Sequence, residues 1–297
     1  RSNKFTMKKL NTLVEDIYQE LDNLSNGKAL DISEQDAEEF GNAMKDVILN
    51  WSKPYEKRKE ETLRMSNVGK PNRQLWYDFN SKTEPLPIRP ATQLVFLYGH
   101  ILEVVGLLLA RLSGHKVTAE QKEVTVSGVT GHMDCIIDGE VVDIKSTSGF
   151  SFKKFKNGTL PEDDPFGYMA QIAGYEAGEG TNKGGFLAIN KENGEIALLI
   201  PQEIDKPNIK HRIAKLKREL KLATPPALCY NPMPDGKSGN MKLPRGCVYC
   251  RHKIECHKDS NNGAGLRIFK YSKNLSFLTT VVKEPRVQEI TSEWQKG

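Results

Sequence analysis

The sequence predicts an α/β fold with a central mixed sheet flanked by helices, a helical N-terminal region and a small C-terminal module held by cysteines. Three observations predict it. Helix-periodic stretches alternate with β-rich runs through the middle of the chain. Asp-Gly and Asn-Gly pairs punctuate those runs as hairpin turns. Four cysteines crowd between Cys229 and Cys256.

With 297 residues, 38% of them hydrophobic and 27% charged, the chain is long enough to bury a real core and carry an appended module. This composition excludes disorder and collagen. The formal charge of +5 is mild. It excludes a histone-like chain and leaves room for local basic surfaces that meet phosphate. Five cysteines in a chain this long make no disulfide framework, so metal binding and a reducing cytoplasm are expected. Met7-Lys8-Lys9 reads as the natural start, with Arg1 to Thr6 as a cloning scar.

A helical N-terminal region is expected over 7–90, a core over 91–224, a cysteine module over 225–262 and strands with a tail over 263–297. Ser33 with Asp36 predicts a capping box opening a helix through about Asn50, and five prolines between Pro54 and Pro90 then interrupt the chain. From Leu94 to Leu112 the chain is almost continuously apolar. Its length permits a membrane span, but His100 and Glu103 near its middle favour a buried core helix, and no membrane is expected.

A strand follows near Glu123 to Ser127, then two β-rich runs joined by Asp138-Gly139. Asp164 as N-cap, Pro165 in the first turn and Gly178 as stop predict a short helix to Ala177. A second hairpin spans Gly185 to Ile200 about Asn193-Gly194, and an amphipathic helix spans 207–222 with Ile209, Ile213, Leu216 and Leu220 inward. Further strands are expected from Leu266 to Val282.

The two-residue turn at Asp138-Gly139 sets Cys135 opposite Val142, Asp134 opposite Asp143 and His132 opposite Lys145. Two aspartates about 5 Å apart on one face destabilise a sheet unless something neutralises them. A hard divalent cation, Mg²⁺ or Mn²⁺, does so while leaving positions for water and a phosphate. Glu103, the only acid in its apolar helix, is a third carboxylate for the same point. Three carboxylates and a lysine make up the composition of a phosphodiester-hydrolysing metal site.

These residues resemble a family. Gly99-His-Ile-Leu-Glu103, Gly131-His-Met-Asp134 and Val141-Val-Asp143-Ile-Lys145 look like the successive motifs of PD-(D/E)xK nucleases of the RecB and lambda-exonuclease type. Gln171-Ile-Ala-Gly-Tyr175 then resembles that family's Gln-x-x-x-Tyr motif. The resemblance implies a restriction-endonuclease-like core, with the metal held by Glu103, Asp134, Asp143 and the carbonyl of Ile144. Lys145 would orient or activate the attacking water. It implies Gln171 and Tyr175 as DNA contacts, with Tyr168 on the same helical stripe, and leaves His100 as a weaker candidate than Glu103. The activity implied is a DNA exonuclease acting on single strands or duplex ends, in the cytoplasm of a bacterium or phage-infected host, with a helicase or recombination protein as partner. Two alternatives use the same residues: a CRISPR adaptation-type or structure-specific endonuclease, and a non-catalytic DNA-binding module stabilised by zinc. RNA stays open as a substrate, because the hydrolytic chemistry does not read the sugar.

Cys247-x2-Cys250-x5-Cys256 has the spacing of the iron–sulfur members of that family. Those relatives carry their first cysteine upstream in a Cys-x-Arg context, which Pro71-Asn72-Arg73 resembles without the thiol, so Cys229 is the expected fourth ligand. Four thiolates suit either a [4Fe–4S] cluster or zinc, and the resemblance favours the cluster. His252 and His257 are reserves for a zinc site. The expected job is structural, stapling the C-terminal segment to the core. Cys135 points to the opposite face from the aspartates and reads as core. The stretch from Gly149 to Asp164 is read as a loop whose Phe150, Phe152 and Phe155, interleaved with Lys153, Lys154 and Lys156, suit a single strand of DNA.

Overall fold

The structure, a computed structural model, describes residues 8–53, 62–82, 90–272 and 274–294. In chain order the elements that matter are α1 (Leu13–Ser25), α2 (Glu34–Trp51), α3 (Asn72–Asn80), α4 (Pro90–Leu112), β1 (Val117–Thr118), β2 (Glu123–Val126), β3 (Val129–His132), β4 (Cys135–Ile137) and β5 (Glu140–Thr147). There follow α5 (Gly149–Lys156), α6 (Tyr168–Glu179), β6 (Gly184–Asn190), β7 (Ile196–Leu199), α7 (Ile209–Glu219), β8 (Met233–Pro234) and β9 (Met241–Lys242). Beyond these lie α8 (Arg245–Val248), α9 (Lys253–Cys256), β10 (Arg267–Lys270), β11 (Leu275–Thr280) and β12 (Gln288–Glu289).

The chain divides into two compact units, one from Arg1–Gly69 and Arg89–Lys215, the other from Lys70–Ile88 and Leu216–Gly297. The division falls at neither 90 nor 224. The described residues 70–82 join the C-terminal unit, and the strands after 263 belong with the cysteine segment.

The first unit is built on a mixed sheet in the order β1-β4-β5-β6-β7. β5 and β6 run parallel, and the other neighbours are antiparallel. The parallel pair requires a crossover, supplied by α5 and α6. On one face α1 and α4 bury Leu13, Ile17, Leu107 and Ala110 against Ile137, Val142, Ile144 and Leu187. Cys135 belongs to that core, as its alternation from the aspartates predicts. On the other face Phe155 and Tyr168 pack about Phe186.

Most sequence expectations of local type hold. Ser33 and Asp36 form the capping box of α2. At Asp138 and Gly139, φ values of 50° and 87° give the left-handed pair that a type I′ hairpin turn needs. α6 begins at Tyr168 rather than Pro165 and runs past Gly178 to end at the left-handed Gly180, although Asp164 does cap its first amides. Gly149 to Lys156 is a helix and not a loop. It buries Phe152 and Phe155, three apart on one face, and exposes Phe150.

α4 is long and apolar enough to cross a bilayer. The core-helix expectation is met by its C-terminal half, where Gly106, Leu107 and Ala110 are buried. Leu94, Val95, Phe96 and Tyr98 in its first half are exposed.

The second unit has an antiparallel sheet in the order β12-β10-β11-β9-β8. Its own core gathers Leu243, Cys247, Leu266, Ile268, Phe277 and Ile290.

Candidate active site and cysteine cluster

β4 pairs with β5 only through Cys135–Val142, Ile136–Val141 and Ile137–Glu140. From Asp143 onward, that edge of β5 has no strand beside it among the described residues. The chain leaves the ladder at Asp134, whose carboxylate turns inward and accepts a 2.7 Å hydrogen bond from the Ile144 amide. A side chain thus does the work of the missing strand. The consequence for His132 is a correction. It does not face Lys145 but pairs with Glu123 in the β2–β3 ladder, at 3.6 Å between side chains.

Asp143 and Lys145 are two residues apart on β5 and therefore share a face. The Lys145 ammonium stands 2.5 Å from Asp143 Oδ2, yet both Asp143 oxygens are buried without hydrogen-bond geometry to any donor. Glu103 arrives from α4, half-buried, and accepts a 2.6 Å bond from the Gln121 amide group. Burial first, then the Asp143 charge, pushes the Glu103 carboxyl above its usual range. Burial first, then Asp143 and Glu103, drives Asp134 well above it. Burial works against the Lys145 charge, but Asp143 and Asp134 outweigh it and hold the ammonium above its ordinary range. The three acids therefore sense one another and the lysine at one place.

α6 brings the remaining residues. Lys145 donates to Gln171 Oε1 at 3.4 Å, and Gln171 Nε2 donates to the Tyr175 hydroxyl at 3.0 Å. Tyr175 is buried, and its hydroxyl is pushed up to about 12 chiefly by burial. Its ring is therefore a support for Gln171, which is the member of the pair nearer the lysine. Tyr168 lies with its ring centroid 4.7 Å from the Lys145 ammonium. His100 is exposed. Lys153 is exposed, whereas Lys154 is engaged by the Asp163 carboxylate and its carbonyl.

The carboxylate oxygens of Glu103, Asp134 and Asp143 are hard donors and fit Mg²⁺ or Mn²⁺ by chemistry. Among the described residues, no three His, Cys, Asp or Glu side chains are already closed around a single ion. Binding a cation here entails drawing the carboxylates inward.

No protein-family model matches the chain, and no curated protein does. Among solved structures, the chain is similar to SSO0001 at 15% identity, covering 73% of this chain and 93% of that one with a TM-score of 0.36. It is similar to the alkaline exonuclease of Laribacter hongkongensis at 14% identity, over 52% and 91% of the two chains, with a TM-score of 0.30. A phage-related exonuclease from Haemophilus somnus 129PT is similar at 13% identity over 54% and 91%, with a TM-score of 0.31. Likenesses of this depth fix no activity.

The second unit holds the cysteines. Burial and the neighbouring thiols of Cys229, Cys250 and Cys256 push Cys247 up to about 12. Burial also raises Cys250, with Cys256 and Cys229 adding to it. The four sulfurs thus lie within electrostatic reach of one another. Cys229 meets the N-terminus of α3, where the main-chain amides of Gln74 and Arg73 hydrogen-bond to its sulfur. Arg73 Nε also donates to Cys256 Sγ at 3.1 Å. Cys229 therefore occupies the end of the helix where Pro71 stands in place of a thiol. His252 is taken elsewhere: its Nε2 lies 2.7 Å from Asp78, which Arg251 also engages.

Two contributors escaped sequence reasoning. Gln121, in a polar turn, bonds Glu103 through its side chain and the Asp134 carbonyl through its amide. Nothing in a glutamine between Glu120 and Lys122 signals this. Phe166, 57% exposed, stacks on Tyr168 with centroids 5.5 Å apart. Its position two residues before Tyr168 is a signal only once the helix start is known.

Proposed function

We propose that the chain is a divalent-metal-dependent deoxyribonuclease that acts as an exonuclease on single-stranded DNA or duplex ends. The observation that carries this reading is the meeting of Glu103, Asp134, Asp143 and Lys145 at the open edge of β5, where the buried Asp143 carboxylate stands 2.5 Å from the Lys145 ammonium. Glu103, Asp134, Asp143 and the Ile144 carbonyl would hold Mg²⁺ or Mn²⁺, which supplies positive charge beside the phosphodiester and acidifies a water. Lys145, aimed by Asp143 and Gln171, donates to a non-bridging phosphate oxygen as water adds to phosphorus and the 3′ oxygen leaves with a proton. The products are a 5′-phosphate and a 3′-hydroxyl. The motif order that resembles the RecB and lambda-exonuclease type supports DNA as the substrate.

The test is cleavage of end-labelled linear and closed circular DNA with Mg²⁺, Mn²⁺ or EDTA. Linear strands should be shortened from an end in either metal and spared in EDTA. Asp143→Ala and Lys145→Ala should each abolish cleavage while DNA binding survives. Full activity in either variant removes the mechanism, and cutting of closed circles reassigns the site to an endonuclease.

We further propose that Cys229, Cys247, Cys250 and Cys256 ligate a [4Fe–4S] cluster. Support comes from the Cys-x2-Cys-x5-Cys spacing, which resembles that of the iron–sulfur members, and from the mutual electrostatic reach of the four thiols. Anaerobically purified protein should be brown with broad visible absorbance. Colourless protein carrying stoichiometric zinc decides for the other ligand.

A further inference from the structure

We propose that Phe166 is a base-stacking platform that receives a nucleobase of single-stranded DNA beside the scissile phosphate. The proposal rests on reading the carboxylate centre as a nuclease site. It concerns a residue outside the motif resemblance, on the surface next to that centre.

Four rings run from the core to solvent. Phe155 and Phe186 are buried and stand 6.1 Å from Tyr168, and Phe166 stacks on Tyr168 at an interplanar angle of 27°. Tyr168 also meets the Lys145 ammonium at 4.7 Å. Phe166 is thereby coupled through a single ring to the cation that would hold the phosphate. Its inner face is taken by Tyr168, and more than half of the residue is in water.

That exposure is not a consequence of a loose loop. The Asp164 carboxylate accepts from the main-chain amides of Gly167, Tyr168 and Met169 at 2.9, 2.9 and 2.8 Å. Gly167 has a φ of 78° and lies against Gly69 so closely that a Cβ on either would fall 2.1 Å from the other's backbone. The backbone on both sides of Phe166 is thus held, and its ring is backed by Tyr168. An apolar ring held in water beside a phosphate site is what a nucleobase needs, because little of the chain has to be ordered on binding.

The substrate class follows from the same geometry. A base within a duplex already has neighbours on both faces, so an open ring favours a single strand or a frayed end. Every base has a π-face, so the contact is blind to sequence.

The test uses the full chain and end-labelled oligothymidine carrying one abasic nucleotide at successive positions, with binding read by anisotropy in Ca²⁺. The wild type should lose about tenfold in affinity at one abasic position, about 1.4 kcal/mol, as the loss of one base–aromatic stack implies. Phe166→Ala should bind the intact strand about tenfold more weakly and show no further loss at that position. Phe166→Trp should restore both. If Phe166→Ala binds the intact strand as the wild type does, or keeps the abasic penalty, the platform is overturned and the nuclease reading stands. A wild type that neither binds nor cuts DNA in Mn²⁺ removes the nuclease reading and the platform with it.

Discussion

Gln121 fixes two of the three acids at once, because its side chain reaches Glu103 while its backbone amide reaches the carbonyl of Asp134. It does so from a left-handed backbone with φ of 51°, a conformation most side chains avoid. Partners of would-be metal ligands typically change metal affinity or activity by about 10–100-fold when removed. Gln121→Ala should therefore raise the Mn²⁺ concentration at half-maximal cleavage by about tenfold or more. Gln121→Glu sets a like charge against Glu103 and should do worse in EDTA-stripped protein, seen as a lower thermal midpoint. An alanine variant with an unchanged metal requirement would leave Gln121 a turn residue only.

The β4–β5 hairpin is anchored by an element outside it. His115, buried after α4, places Nδ1 2.5 Å from Asp138 in the β4–β5 turn and Nε2 2.9 Å from Asp16 on α1. One imidazole thus ties the turn to the helix that covers the sheet. Removing it takes one partner from each carboxylate, but Asp16 keeps Thr12 and Lys8 and Asp138 keeps the Lys116 amide, so the loss is nearer that of one hydrogen bond to a charged group, about 1.5–3 kcal/mol. His115→Ala should lower stability by about 2–3 kcal/mol, measured as a fall in urea midpoint with an unchanged m-value. The hairpin was legible in the sequence because Asp138-Gly139 is a local signal with a steric cause, and its register holds as far as Cys135–Val142, one step short of the expected Asp134–Asp143 pair. What stayed hidden was set by distant partners. The length of β4 depends on where the chain turns toward β3, so the partner of His132 could not be read. Phe152 and Phe155 are spaced for a helix face, but interleaved lysines concealed it. Cys229 met α3 through contacts between residues over 150 positions apart, which spacing alone does not encode.

Each unit has its own apolar core, so the two are expected to respond separately to chemistry confined to one of them. In the C-terminal unit Asp78 is a buried charge that depends on its surroundings. Its carboxyl is nearly inaccessible and is paired with His252 at 2.7 Å, Arg251 at 2.7 Å and Lys70 at 3.4 Å. Burial pushes the group upward, yet His252, Lys70 and Arg251 outweigh it and hold it at about 2. A carboxyl depressed below its ordinary value of 3.8 binds its proton more weakly in the folded chain. Its contribution is therefore present above about pH 4 and is lost as pH falls toward 2. The depression corresponds to a stabilisation on the order of 2 kcal/mol. Asp78→Asn should be less stable than the wild type at pH 7 by about that amount, and most of the gap should be gone by pH 2, where the wild-type carboxyl is half protonated. Urea midpoints of both proteins across that range provide the measurement. A gap of constant size at every pH would mean that the asparagine disturbs packing and that the ion pairs contribute nothing.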